Sequence, residues 1–91
     1  MSITITPAAL DCFRSEWGYR EGDSVRIFVR YSGGSDDAFA FGIMKDLPMY
    51  PAHSSTEGGI TFFMEQNDAW YLDGRRLTID CSGDTIRFER Q

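Results

Sequence analysis

Alternating apolar and polar positions divide the chain into short strands and one clear helix. Ser2, Ile3, Thr4 and Ile5 alternate and predict a short strand. Thr6 then offers a helix N-cap, with Pro7 at the first helical position, where its missing N–H costs nothing. Leu10, Phe13 and Trp17 recur at helical spacing as one apolar stripe, and Gly18 is a natural stop. Cys12 lies away from the centre of that stripe, which predicts at least partial exposure. Glu21, Gly22 and Asp23 turn the chain into a strand over 25–31. Its Val25, Ile27, Val29 and Tyr31 share one face, and Arg26, Phe28 and Arg30 share the other.

Ser32, Gly33, Gly34, Ser35, Asp36 and Asp37 suit a hairpin connection, because glycine reaches positive φ without steric cost. The strand after it, 38–44, is apolar on both faces: Phe39, Phe41 and Ile43 on one, Ala38, Ala40, Gly42 and Met44 on the other. Such a strand is ordinarily covered on both sides, which predicts a position inside the sheet arrangement with Phe41 buried. Residues 45–59, with Pro48, Pro51, His53, Ser54, Ser55, Gly58 and Gly59, read as the most irregular segment. A strand resumes over 60–65. Asn67 or Asp68 then caps a helical turn through Trp70, Tyr71 and Leu72, closed by Gly74. Leu77, Ile79 and Cys81 alternate on one strand, facing the core, and Ile86 and Phe88 on the last.

Length and charge narrow the function classes. At 91 residues the chain has room for one domain, and 42% hydrophobic content argues for a packed core. Fourteen acidic against nine basic residues give a net charge of -5, which disfavours nucleic acid and anionic membrane surfaces as partners. No stretch approaches the roughly 20 apolar residues of a membrane span, and no basic segment followed by an apolar run marks a secretory signal. The expected location is cytoplasmic. Cys12 and Cys81 belong to no Cys-x-x-Cys pair and read as two reduced thiols, one on a helix and one in a strand.

Four pieces of the chain together resemble a known family. They are 5–10 (Ile-Thr-Pro-Ala-Ala-Leu), the strands over 25–31 and 38–44 about the glycine turn, and 70–74 (Trp-Tyr-Leu-Asp-Gly). They resemble the HesB-like core domain of A-type iron–sulfur carriers. The resemblance covers nearly the whole chain and implies a single HesB-like core domain over 1–91. Its fold would be a β-rich α+β arrangement: an N-terminal helix and a short second helix against two layers of antiparallel strands. Family members hold iron or clusters through three cysteines, one in the glycine-rich turn and two in a C-terminal Cys-x-Cys tail. Here Gly34 stands at the turn position, and the chain ends Phe88, Glu89, Arg90, Gln91. The expectation is a divergent member without those ligands, carrying no cofactor.

Other chemistry finds little support in the residues. Asp36, Asp37 and His53 could contribute to a metal site, but three or so convergent ligands are needed and no spacing signature is present. Ser32, Ser35, Ser54 and Ser55 sit in no Gly-x-Ser-x-Gly elbow, so no enzyme is expected. The aromatic residues Phe39, Phe41, Phe62, Phe63, Trp70 and Tyr71 read as core, with a pocket or a homodimer face left open. The candidate binding loop is Arg30, Tyr31, Ser32, Gly33, Gly34, Ser35, Asp36 and Asp37, since binding residues concentrate in loops on rigid sheets. The expected role is therefore non-catalytic, an accessory or binding protein related to iron–sulfur cluster biogenesis, with a protein or small-molecule partner. The alternative is a protein binding iron or another metal through Asp, His53 or Cys81.

Overall fold

A computed structural model describes residues 3–31 and 39–90. In chain order these form β1 (Ile3–Ile5), α1 (Pro7–Ser15), β2 (Ser24–Tyr31), β3 (Phe39–Lys45), β4 (Pro51–Glu57), β5 (Ile60–Glu65), α2 (Gln66–Ala69), a 3-10 turn (Trp70–Leu72), β6 (Leu77–Ser82) and β7 (Thr85–Arg90). The strands make two sheets, ordered β1-β6-β7 and β3-β2-β5-β4. This is an α+β fold. The expected antiparallel pairing holds for β2–β3, β4–β5 and β6–β7, while β1–β6 and β2–β5 run parallel. The antiparallel pairs are sequence neighbours joined by short connections. The parallel pairs join strands that meet only after long excursions of the chain, so no hairpin dictates their direction.

Helix α1 starts as its sequence demands. The Thr6 hydroxyl accepts the Ala9 N–H at 3.1 Å, and Pro7 follows directly. Gly18, at φ 71, turns the chain back so that the Tyr19 N–H reaches the Phe13 carbonyl at 2.9 Å. The buried face of α1 is Ala9, Cys12 and Phe13. Phe13 sits against the Phe62 and Tyr19 rings, with centroids 5.2 and 5.8 Å away. Trp17, expected to complete the stripe, lies past the helix end and is 41% exposed. Cys12 corrects the expectation in the other direction: it is 5% exposed. The buried surface of the helix is wider than the Leu10–Phe13–Trp17 line, because α1 lies against β6 as well as β5.

Three further expectations change. β3 lies at a sheet edge, not inside the arrangement, and its Phe41 is half-buried. The interior position belongs to β5, whose Ile60, Phe62, Phe63 and Met64 are fully buried. Residues 51–57, within the segment read as irregular, form β4, paired along β5 with a bulge between Pro51 and His53. An edge strand tolerates Pro51 at its first position because one side makes no ladder bonds. Finally, neither Asn67 nor Asp68 caps α2: Glu65 holds the N-cap position, without a side-chain cap bond, and Asp68 lies inside the helix.

Candidate functional site

Of the loop proposed from sequence, the structure places Arg30 and the backbone of Tyr31. Arg30 is exposed near the end of β2, and Tyr31 pairs with Phe39 across the ladder. Ser32, Gly33, Gly34, Ser35, Asp36 and Asp37 lie outside the described residues. Arg30 borders a cleft of about 380 Å³ formed with Trp17, Phe28, Phe41, Ile86 and Phe88, among others. Gly42 lines this cleft as well. A Cβ there would meet the Phe28 ring, which crosses over the glycine opposite it in the ladder. Phe41 on the neighbouring face stacks on Phe88 at 5.1 Å and meets Tyr71 edge-on at 5.1 Å, joining the two sheets.

A second cleft, of about 290 Å³, lies where β5 runs into α2, lined by Arg26, Met49, Tyr50, Glu65, Gln66 and Asn67. Arg26 donates to Asp68 at 2.9 Å and faces Asp46 at 3.6 Å. The Asp68 hydrogen bond, helped by the charges of Asp68, Asp46 and Glu65 against partial desolvation, holds this guanidinium above its usual pKa. Asp68 also accepts the Val29 N–H at 3.3 Å, beyond the point where β2 leaves its parallel ladder with β5. The residue read as a helix cap therefore takes up a strand amide 39 positions earlier, where β2 no longer has β5 beside it.

The neighbouring segment is the feature that sequence reasoning missed. Buried Glu65 accepts the Met49 N–H at 2.8 Å and the Tyr50 N–H at 2.6 Å, one on each carboxylate oxygen. The Gln66 N–H returns a bond to the Tyr50 carbonyl at 2.9 Å. Charge-assisted bonds to two successive amides fix the backbone firmly. The side chains carried by this backbone point outward: Leu47, Met49 and Tyr50 are 75%, 76% and 71% exposed. A fixed loop presenting three large apolar groups is unusual on a small protein surface. The available signal was the run Leu47, Pro48, Met49, Tyr50, Pro51, apolar without periodicity and stiffened by two prolines.

The two cysteines, 69 positions apart, converge where α1 covers β6. The Cys81 thiol lies 3.2 Å from the Gly83 carbonyl, and that of Cys12 lies 4.0 Å from the Asp84 carbonyl. Cys12 is buried and Cys81 half-buried, and both are free thiols. Burial, then hydrogen bonding to Cys81 and its charge, pushes the Cys12 thiol up to about 11. Among the described residues no three His, Cys, Asp or Glu side chains are grouped to hold a metal ion. His53 is half-buried on β4, an edge strand. No helix among the described residues is long and apolar enough to cross a membrane.

No known protein-family profile matches the chain. It is 40% identical over 86 residues to a Bacillus subtilis (strain 168) protein named pyruvate dehydrogenase inhibitor, covering 92% of this chain and 90% of that protein. Its fold is similar to the crystal structure of Escherichia coli SufA, involved in biosynthesis of iron–sulfur clusters. That match has a TM-score of 0.63 and 21% identity, covering 99% of this chain and 79% of the other. It is also similar to the crystal structure of IscA with a 2Fe-2S cluster, with a TM-score of 0.60 and 18% identity over 98% of this chain and 83% of that one. Identities this low carry the fold alone, and the fold is HesB-like.

Proposed function

From the premise that the chain belongs to the family of the Bacillus subtilis pyruvate dehydrogenase inhibitor, we propose that it is a non-catalytic protein that binds a pyruvate dehydrogenase and lowers its activity. The single observation that carries this reading is the 40% identity spread over nearly the full length of both chains. On this reading the accessory or binding role expected from sequence acquires a proposed partner, a large enzyme rather than an iron–sulfur cluster. The reading keeps the cytoplasmic placement expected from sequence.

The donor set does not fit a cluster held by three thiolates. The chain has two cysteines, one buried on α1 and one beside it on β6, and glycines at 33 and 34. Thiolates are the donors that match iron and sulfide, and two sulfurs do not complete such a site. The scaffold is therefore read as a platform for binding.

The surface we assign to the enzyme is the loop of Leu47, Met49 and Tyr50. Its conformation is fixed before any partner arrives, by the two amide bonds to Glu65. Preorganisation of this kind removes the ordering cost that otherwise weakens association. Three exposed apolar side chains supply area that gains from leaving water, at roughly 25 cal/mol per Å² buried.

The test is a titration of the purified chain into a pyruvate dehydrogenase complex, reading pyruvate-dependent turnover together with co-sedimentation. Turnover should fall in a saturable way as the chain co-sediments. Unchanged turnover with the enzyme saturated would overturn the inhibitory role, and absence of co-sedimentation would overturn the partner. A Met49→Ser/Tyr50→Ser variant should weaken binding at least tenfold while remaining folded, since both side chains are solvent-facing. An Asp36→Ala/Asp37→Ala variant run beside it tests the glycine turn expected from sequence.

A further inference from the structure

We propose that Cys12 and Cys81 are an oxidation site, closing an intramolecular disulfide between α1 and β6 on reaction with a low-molecular-weight disulfide. The proposal stands on convergence. The two thiols approach the carbonyls of two successive residues, Gly83 and Asp84, at the turn joining β6 to β7. After burial, the neighbouring Cys81 is the next cause that raises the Cys12 thiol above its ordinary pKa. A disulfide asks two Cβ atoms to approach to about 4 Å, and the packing of α1 on β6 brings the elements that carry the two cysteines into contact.

Burial sets the order of events. Cys81 is half-buried and Cys12 buried, so an external reagent reaches Cys81 first. The Cys81 thiolate attacks one sulfur of oxidised glutathione; a protein–glutathione S–S bond forms, the glutathione S–S bond breaks, and one glutathione leaves as thiolate and takes a proton. Cys12 then gives its proton to solvent and attacks the Cys81 sulfur, displacing the second glutathione. Two electrons pass from the protein thiols to the reagent, and two reduced glutathiones are the products. The high pKa of Cys12 makes the second step the slower one near neutrality, and it should accelerate as pH rises toward about 11.

The experiment treats the full chain with oxidised glutathione and follows mass, free thiols and thermal unfolding. Wild type should lose both titratable thiols, retain no glutathione and remain monomeric in its linkage, with a mass lower by two hydrogens. Its unfolding midpoint should rise by about 10 °C, because the bond closes a long loop of the unfolded chain, and reductant should reverse the shift. Cys12→Ala should stop at one glutathione per chain, bound at Cys81. In Cys81→Ser the buried Cys12 should stay unmodified, which keeps the test intact if the alanine variant folds poorly. Wild type that keeps a stable glutathione adduct, keeps both thiols, or cross-links between chains would overturn the proposal.

Discussion

β3 carries apolar residues on both faces and β5 carries Phe63 between Thr61 and Glu65 on its second face, yet β5 and not β3 is the buried strand. β5 sits between β2 and β4, with Phe13 of α1 against Phe62, and its residues 60 and 62–64 are fully buried. β3 ends its sheet, with Phe41 and Ile43 half-buried and Met44 exposed. What differs is the company each strand keeps. β5 is paired on both sides, whereas β3 has one partner strand and a phenylalanine ring lying over its glycine. A two-faced apolar run thus records that both faces meet side chains, and it leaves open whether both edges meet strands.

The sharpest way to break this comparison is to truncate the same residue type on each strand. Phe62→Ala should cost about 3–5 kcal/mol, as for a fully buried phenylalanine, whereas Phe41→Ala should cost about half of that or less. Denaturant titration of the two variants decides it, and equal losses would mean that the edge is packed as tightly as the centre.

A smaller effect is expected at Gly42. Its alanine variant should displace the Phe28 ring and cost about 1–2 kcal/mol, since that ring is only half-buried and has room to rotate away. Near-ultraviolet circular dichroism should change at Phe and Trp17 signals while far-ultraviolet spectra stay the same. A loss as large as that of Phe62→Ala would place the glycine in a rigid site after all.

The smallest effect extends the comparison to the other sheet, whose central strand is β6. Hydrogen bonds from the Thr6 hydroxyl and the Cys81 N–H hold the Asp80 carboxyl below its ordinary 3.8. A depressed carboxyl stabilises the fold above its unfolded pKa, and that contribution is lost as pH falls below 3.8 through the folded value. Cys12 acts with the opposite sign. Raised from 9.0 to about 11, it contributes fully below pH 9.0, and the contribution disappears as pH climbs between those values. Stability measured across pH should decline at both ends, with Asp80→Asn flattening the acid limb and Cys12→Ala the alkaline one. Unaltered limbs in the variants would assign the decline to other groups.

What was legible in the sequence was local. The Thr6–Pro7 start of α1 follows from a hydroxyl three residues before the amide it caps and a proline directly after it, and the strand alternations at 25–31 and 77–81 need no distant information. The misreadings all turn on remote partners. Asp68 looked like a cap because Arg26, its partner, is 42 positions away. β4 was hidden because Pro51, His53, Ser54 and Ser55 show no apolar rhythm; its strand character comes from β5 alongside. The exposed loop at 47–50 depends on Glu65, and no local pattern announces a carboxylate that will reach back to two amides. Cys12 and Cys81 come to the same turn for the same reason, through the packing of α1 on β6.

The parallel pairing of β1 with β6 bears on how the chain is made. Ile3, Thr4 and Ile5 pair with Leu77, Thr78 and Ile79, so β1 leaves the ribosome well before the strand it pairs with. The β3-β2-β5-β4 sheet needs only residues 24–65 and can assemble from a nascent chain that still lacks its C-terminal segment. During that interval Ile3 and Ile5, both buried in the finished protein, have no strand to join. Emergence of residues 77–79 from the ribosome is thus the event that lets β1 dock, and translation that stalls earlier leaves its apolar residues open to capture by chaperones.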